Sequence, residues 1–169
     1  MNTRIQIHLV TICFESGDMD SLVEIITLLS KKRSVVKQAV TLMVQKCMEF
    51  IDLCPSNNME QRLALINNIR SVTEGKIYVE VERARVTRTL ATMKEKEGKL
   101  QEASELMQEI QVETFGSMEK REKTEFILEQ MRMAISIADF VKAQIISRKI
   151  SPKLFESDSF EVFFKEFTF

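Results

Sequence analysis

Gly98-Lys99-Leu100-Gln101-Glu102-Ala103 opens with a turn-prone residue, then a polar one, then an apolar one, then a helical run. The same order occurs three more times, in Gly17-Asp18-Met19-Asp20-Ser21-Leu22, Asn57-Asn58-Met59-Glu60-Gln61-Arg62 and Ala138-Asp139-Phe140-Val141-Lys142-Ala143. The first residues of the four stretches lie 40, 41 and 40 positions apart. Gly or Asn takes the left-handed conformation that closes a helix. Asp or Asn in the next place accepts from the free backbone N–H groups of a starting helix. Repeat turns are therefore placed at Gly17, Asn57, Gly98 and Ala138, and the apolar third residue is expected to begin each buried face.

A short helix is predicted after each turn, because apolar residues recur at spacings of 3, 4 or 7. The stripes are Met19, Leu22, Ile26 and Leu29; then Met59, Leu63 and Ile66, flanked by Leu65, Ile69 and Val72. Leu100, Ala103, Leu106, Met107 and Ile110 make the third, and Phe140, Ala143, Ile146 and Ile150 the fourth. A longer helix is predicted before each turn. The first is the stretch Ile5 to Glu15. The next runs from about Ser34 to Leu53, with Val36, Val40, Met43, Cys47, Phe50 and Ile51 on one side. Another runs from about Lys76 to Glu97 with two stripes, Ile77-Val81-Ala84-Ala91 and Val79-Val86-Leu90-Met93. The last starts near Ser117 as an N-cap and carries Ile127, Met131, Ala134, Ile135 and Ala138.

A helix apolar on two sides is what a stack of hairpins requires, since each hairpin must bury its faces on those before and after it. A compact bundle has no reason to repeat its turn chemistry at a fixed interval. The expectation is an all-α stack of antiparallel helical hairpins with a period of about 40 residues, working through protein contacts.

Composition agrees with that class. Two prolines and four glycines leave long helices unbroken, while ten methionines suit irregular packing between helices. Charge is balanced, with 24 Lys plus Arg against 25 Asp plus Glu, which argues against nucleic acid and anionic membranes as partners. Three cysteines, Cys13, Cys47 and Cys54, sit in apolar helical stretches and read as reduced core thiols. The start, Met1-Asn2-Thr3-Arg4, leads into a short apolar run broken by Gln6 and His8, so no secretion signal is expected. No apolar stretch reaches the roughly 18 residues needed to span a bilayer.

Catalytic chemistry has little to stand on. His8 is the single histidine, no Cys-x-x-Cys pair accompanies it, and no metal site is expected. Four glycines form no phosphate-cradling loop. The carboxylates of Lys94-Glu95-Lys96-Glu97 and Glu80-Val81-Glu82-Arg83-Ala84-Arg85 alternate with cations, as on a solvated helix face. No enzyme activity, cofactor or small-molecule substrate is expected.

Longer runs carry a sharper signal. They are Val72-Thr73-Glu74-Gly75-Lys76-Ile77-Tyr78-Val79-Glu80 continuing into Glu82-Arg83-Ala84-Arg85 and Thr89-Leu90-Ala91-Thr92; Gln111-Val112-Glu113-Thr114-Phe115-Gly116-Ser117-Met118-Glu119-Lys120; Glu125-Phe126-Ile127-Leu128-Glu129-Gln130-Met131-Arg132; and Gln144-Ile145-Ile146-Ser147-Arg148-Lys149-Ile150. Leu28-Leu29-Ser30-Lys31-Lys32-Arg33-Ser34 and Lys37-Gln38-Ala39-Val40 extend the set toward the N-terminus. Over about residues 5 to 155 the chain resembles the non-ATPase regulatory subunit 12 family of the 26S proteasome, PCI-family subunits of the lid. The fourth subunit of the COP9 signalosome is a weaker match. Gly98 to Ile110 alone resembles the second half of a tetratricopeptide unit, a family whose period is shorter, about 34 residues.

The resemblance implies a right-handed α-solenoid of TPR-like, PCI-type repeats. It implies a helical-repeat arm over residues 1–155, with no counterpart of the family's winged-helix PCI module. It also implies a non-catalytic scaffold of the regulatory particle, in cytoplasm and nucleus. Its partners would be other lid subunits and the ATPase ring or core particle. Alternatives are a free-standing TPR-like peptide-binding adaptor and a signalosome-type PCI complex subunit. Residues 156–169 depart from the family as a Phe-rich tail. Phe160, Phe163, Phe164 and Phe167 fall at helical spacing, so the tail is expected to fold back as a short cap on the last hairpin rather than hang free as an interaction segment.

Overall fold

The computed structural model describes residues 3–32, 35–54 and 58–150. Among these the chain forms α1 (Thr3–Glu15), α2 (Met19–Lys31), α3 (Lys37–Leu53), α4 (Met59–Thr73), α5 (Glu80–Lys96), α6 (Leu100–Gln108), α7 (Lys120–Ser136) and α8 (Phe140–Ser147). Two 3₁₀ turns, Ile77–Val79 and Val112–Thr114, precede α5 and α7, and no strand occurs among the described residues. The protein is an all-α helical repeat.

It divides into two compact units, Met1–Glu97 and Gly98–Phe169. In the first, α1 packs on α2 and α3 on α4, while α1 also meets α3 and α2 meets α4. Two hairpins therefore stack like helix on like helix. The α2 stripe of Met19, Leu22, Ile26 and Leu29 is buried throughout. Full burial of one such Leu or Ile side chain contributes about 1.5–3 kcal/mol. Between α1 and α3 the rings of Phe14 and Phe50 lie parallel with centroids 4.2 Å apart. Asn68 on α4 donates its amide to the Thr27 hydroxyl on α2 at 2.9 Å, which fixes the register of that pair. Helix α5 packs on α4 and touches α3. Val81, Ala84 and Ala91 are buried on one of its stripes, and Val86, Leu90 and Met93 on the other.

In the second unit α7 packs against α6, α8 and the 3₁₀ turn Val112–Thr114. Its core holds Met107, Val112, Phe126 and Ala134, with Met131 and Ile150 against Leu128. The Gln130 side chain is buried and donates to both Met107 O and Ile110 O at 2.7 Å. Met107 lies in the last turn of α6 and Ile110 just beyond its end, so one amide ties the close of that helix to α7.

Several boundaries and faces differ from the sequence expectation. The apolar third residue is buried only at Met19; Met59, Leu100 and Phe140 are 47%, 38% and 66% exposed. A side chain in the first turn leans toward the helix N-terminus, and is covered only where a neighbour extends past that end. Val36 and Ile77 fall out of their stripes for a related reason: both precede the helices, which begin at Lys37 and Glu80, and both are exposed. Ser117 is not the N-cap of α7, which starts at Lys120 behind an extended Glu119. The buried Val112 and Met118 pin the connecting segment to the core first, and the helix begins only beyond them. Ile135 on α7 is exposed and Ala138 falls beyond the helix, also exposed, while Phe126, Gln130 and Met133 are buried instead.

Candidate interaction surface

Two of the four turn positions share one construction. Gly17 follows α1 at φ +75° and Ala138 follows α7 at φ +60°. At the first, Gly17 N–H donates to Phe14 O and Asp18 N–H to Cys13 O, both at 3.1 Å. At the second, Ala138 N–H donates to Ile135 O and Asp139 N–H to Ala134 O, both at 2.9 Å. This paired closure satisfies the last carbonyls of each helix. The aspartate that follows then opens the next helix: Asp18 accepts from Ser21 N–H at 3.0 Å and Asp139 from Lys142 N–H at 3.1 Å. The bond from Ser21 holds the Asp18 carboxyl below its ordinary pKa. Gly98 is also left-handed, at φ +79°, but Lys99 behind it supplies no side-chain cap. Asn57 and the tail residues Phe160, Phe163, Phe164 and Phe167 lie outside the described residues.

A further left-handed glycine, Gly75 at φ +68°, ends α4 inside the long run around residues 72–85. Its neighbours tie three helices together. Lys76 Nζ donates to Ser30 O at the end of α2 at 3.2 Å, and burial lowers its pKa. Thr41 on α3 donates to Tyr78 O at 3.3 Å, and the Lys37 ammonium lies 5.7 Å from the centre of the Tyr78 ring. Glu82 does not belong to a solvated face. It is 6% exposed and accepts from Gln45 Nε2 of α3 at 2.8 Å. The spacing of Glu80 to Arg85 could not reveal this, because Gln45 lies 37 residues away. Glu129 is likewise buried and paired with Arg132 at 2.8 Å.

The nucleophiles are quiet. Cys47 is fully buried, and desolvation pushes its thiol up to about 12. Burial also raises Cys54, with Arg62 pulling the other way. His8 is exposed on α1. Among the described residues no three His, Cys, Asp or Glu side chains cluster as a metal site would need, and no helix is long and apolar enough to cross a membrane. What the fold displays is a series of exposed apolar side chains on or beside its helices, including Leu28, Val36, Ile77, Phe140, Val141 and Ile145.

Comparison with known proteins gives this display a context. Residues 1–168 match the family described as PSMD12/CSN4, N-terminal. The chain is 51% identical over 152 residues to 26S proteasome non-ATPase regulatory subunit 12 homolog A of Arabidopsis thaliana, covering 90% of this chain and 34% of that protein. It is 48% identical over 142 residues to 26S proteasome regulatory subunit RPN5 of Saccharomyces cerevisiae, covering 84% and 32%. With 26S proteasome non-ATPase regulatory subunit 12 of Dictyostelium discoideum the identity is 40% over 156 residues, covering 92% and 34%. The chain thus spans about a third of the length of these relatives. Its all-helical repeat and these matches agree: the chain belongs to the PSMD12/CSN4 N-terminal family.

Proposed function

We propose that the chain is a helical-repeat arm of the 26S proteasome regulatory-particle lid, a non-catalytic scaffold that supports ATP-dependent degradation of ubiquitinated proteins through protein contacts. The observation that carries this is identity of 48–51% to regulatory proteasome subunits of a plant and a yeast over most of the chain. The stacked hairpins support it, since such a fold offers extended side surfaces to neighbours. The arm comprises residues 1–155, its partners are other lid subunits with the ATPase ring or core particle, and it acts in cytoplasm and nucleus without nucleic acid, membrane or small-molecule substrate.

Affinity purification of the tagged chain from its native cells tests the reading. Lid and ATPase-ring subunits are expected in the eluate, and their complete absence would overturn it. The family description also covers a signalosome subunit, so recovery of signalosome subunits instead would select that assembly. Saturable binding to peptide C-termini without any large complex would select the free-standing adaptor.

A further inference from the structure

We propose that the groove between α4 and α5 docks an acidic segment of a partner protein, a short run of Asp or Glu interleaved with apolar side chains. The groove lies within the first unit and has a volume of about 550 Å³. Met59 and Arg62 on α4 and Arg88, Met93, Lys96 and Glu97 along α5 line it. Three cations and one carboxylate share this lining; Arg88 is already engaged with a neighbour, and the carboxylate lies 3.6 Å from Lys94 Nζ. Lys96 is exposed and forms no ion pair among the described residues. Arg62 is the stronger indication. Its Nε is buried and meets no acceptor among the described residues, and a desolvated guanidinium N–H left unpaired is costly until an anion reaches it.

The start of α4 adds to the same field. Asn58 stands at its N-cap but accepts no backbone N–H, and its amide donates to Gln61 instead. The positive pole of α4 therefore lies, without a side-chain cap from Asn58, at the end of the helix that carries Met59 and Arg62. Thr89 and Thr92, also on the lining, donate inward to Arg85 O and Arg88 O at 3.1 and 3.0 Å. An incoming carboxylate is consequently met by the cations rather than by hydroxyl donors. Met93 is buried beneath and Met59 is half exposed at the rim. Two flexible thioethers between cations suit an apolar side chain flanked by carboxylates better than a lone small anion. Nucleic acid is disfavoured because the whole chain has a net charge of −1 and only Arg62, Arg88 and Lys96 are cations of the lining.

The inference rests on the scaffold reading only in taking a protein as the occupant, and its test uses no other subunit. Fluorescence anisotropy of the full chain with a labelled Glu/Leu peptide is expected to show saturable binding that weakens as salt rises. The matching Gln/Leu peptide is expected not to bind. Arg62→Gln should weaken the complex by about tenfold, as befits a charge-assisted hydrogen bond. Lys96→Glu, at an exposed side chain, should weaken it by about threefold, as a rim charge does. Equal binding of the two peptides overturns the proposal, as does stronger competition by a single-stranded oligonucleotide than by unlabelled Glu/Leu peptide. So does an unchanged affinity in Lys96→Glu with its helical circular dichroism intact, whatever Arg62→Gln does to folding. Failure here leaves the recovery of lid subunits as a separate question.

Discussion

The turns at Gly17 and Ala138 are built alike, yet the helices they launch meet different fates. Both close the preceding helix with the same pair of backbone bonds and both hand over to an aspartate cap. After Gly17, helix α2 has α1, α3 and α4 around it and buries its whole stripe. After Ala138, helix α8 packs on α7 and buries Ala143 and Ile146, while Phe140, Val141 and Ile145 stay exposed. Turn chemistry therefore sets where a helix begins. The number of neighbours sets how much of it matters to stability.

Core truncation should widen this contrast most. Leu22→Ala removes a side chain with no exposed surface and is expected to cost about 3–4 kcal/mol. Ile146→Ala, in a helix with fewer neighbours among the described residues, should cost about 2 kcal/mol, at the low end of the same range. Urea titrations of the two variants measure the difference, and equal losses would mean α8 is as fully enclosed as α2.

The turn residues come next, and here the two sites should respond with opposite signs. A Cβ added at Gly17 meets nothing within 4 Å, so Gly17→Ala isolates the backbone cost of a left-handed residue, about 1 kcal/mol. Ala138 already bears that cost at φ +60°, so Ala138→Gly should gain somewhat less than 1 kcal/mol, partly offset by greater freedom in the unfolded chain. Thermal melts of both variants check the pair.

Acid should separate wild type from Asp18→Ala. The folded pKa of Asp18 is depressed, so its stabilisation is complete above the ordinary value of 3.8 and disappears as pH falls through the folded value. Wild type should thus lead the variant at neutral pH, and the lead should vanish in strong acid. A pH-independent gap between the melting curves would contradict this. The smallest effect is expected at the exposed end of the comparison: Phe140→Ser should change the stability of the isolated chain by no more than about 0.5 kcal/mol.

Much of this was legible in sequence because turns and stripes are local. Gly17, Asp18 and the Met19-to-Leu29 stripe follow from propensity and spacing within one hairpin, and the fold class follows with them. What spacing cannot reveal is which neighbour arrives. Glu82 looked solvated until Gln45, on another helix, buried it. Met59, Leu100 and Phe140 looked like core residues because they are apolar in the right register, but the first turn there is left partly exposed. The groove cations Arg62 and Lys96 lie at the start of α4 and the end of α5, far apart in sequence, and neither sits in a pattern that marks it out.

The twin bonds from Gln130 to Met107 and Ile110 bear on how the chain is made. Helix α6 has nine residues, fewer than the roughly 12 that a helix needs to hold itself in water. On the ribosome its own sequence is finished well before residue 130 is synthesised. The amide that ties down the end of α6 thus arrives with the next helix, and α6 gains its packing on α7 only once that helix has been made.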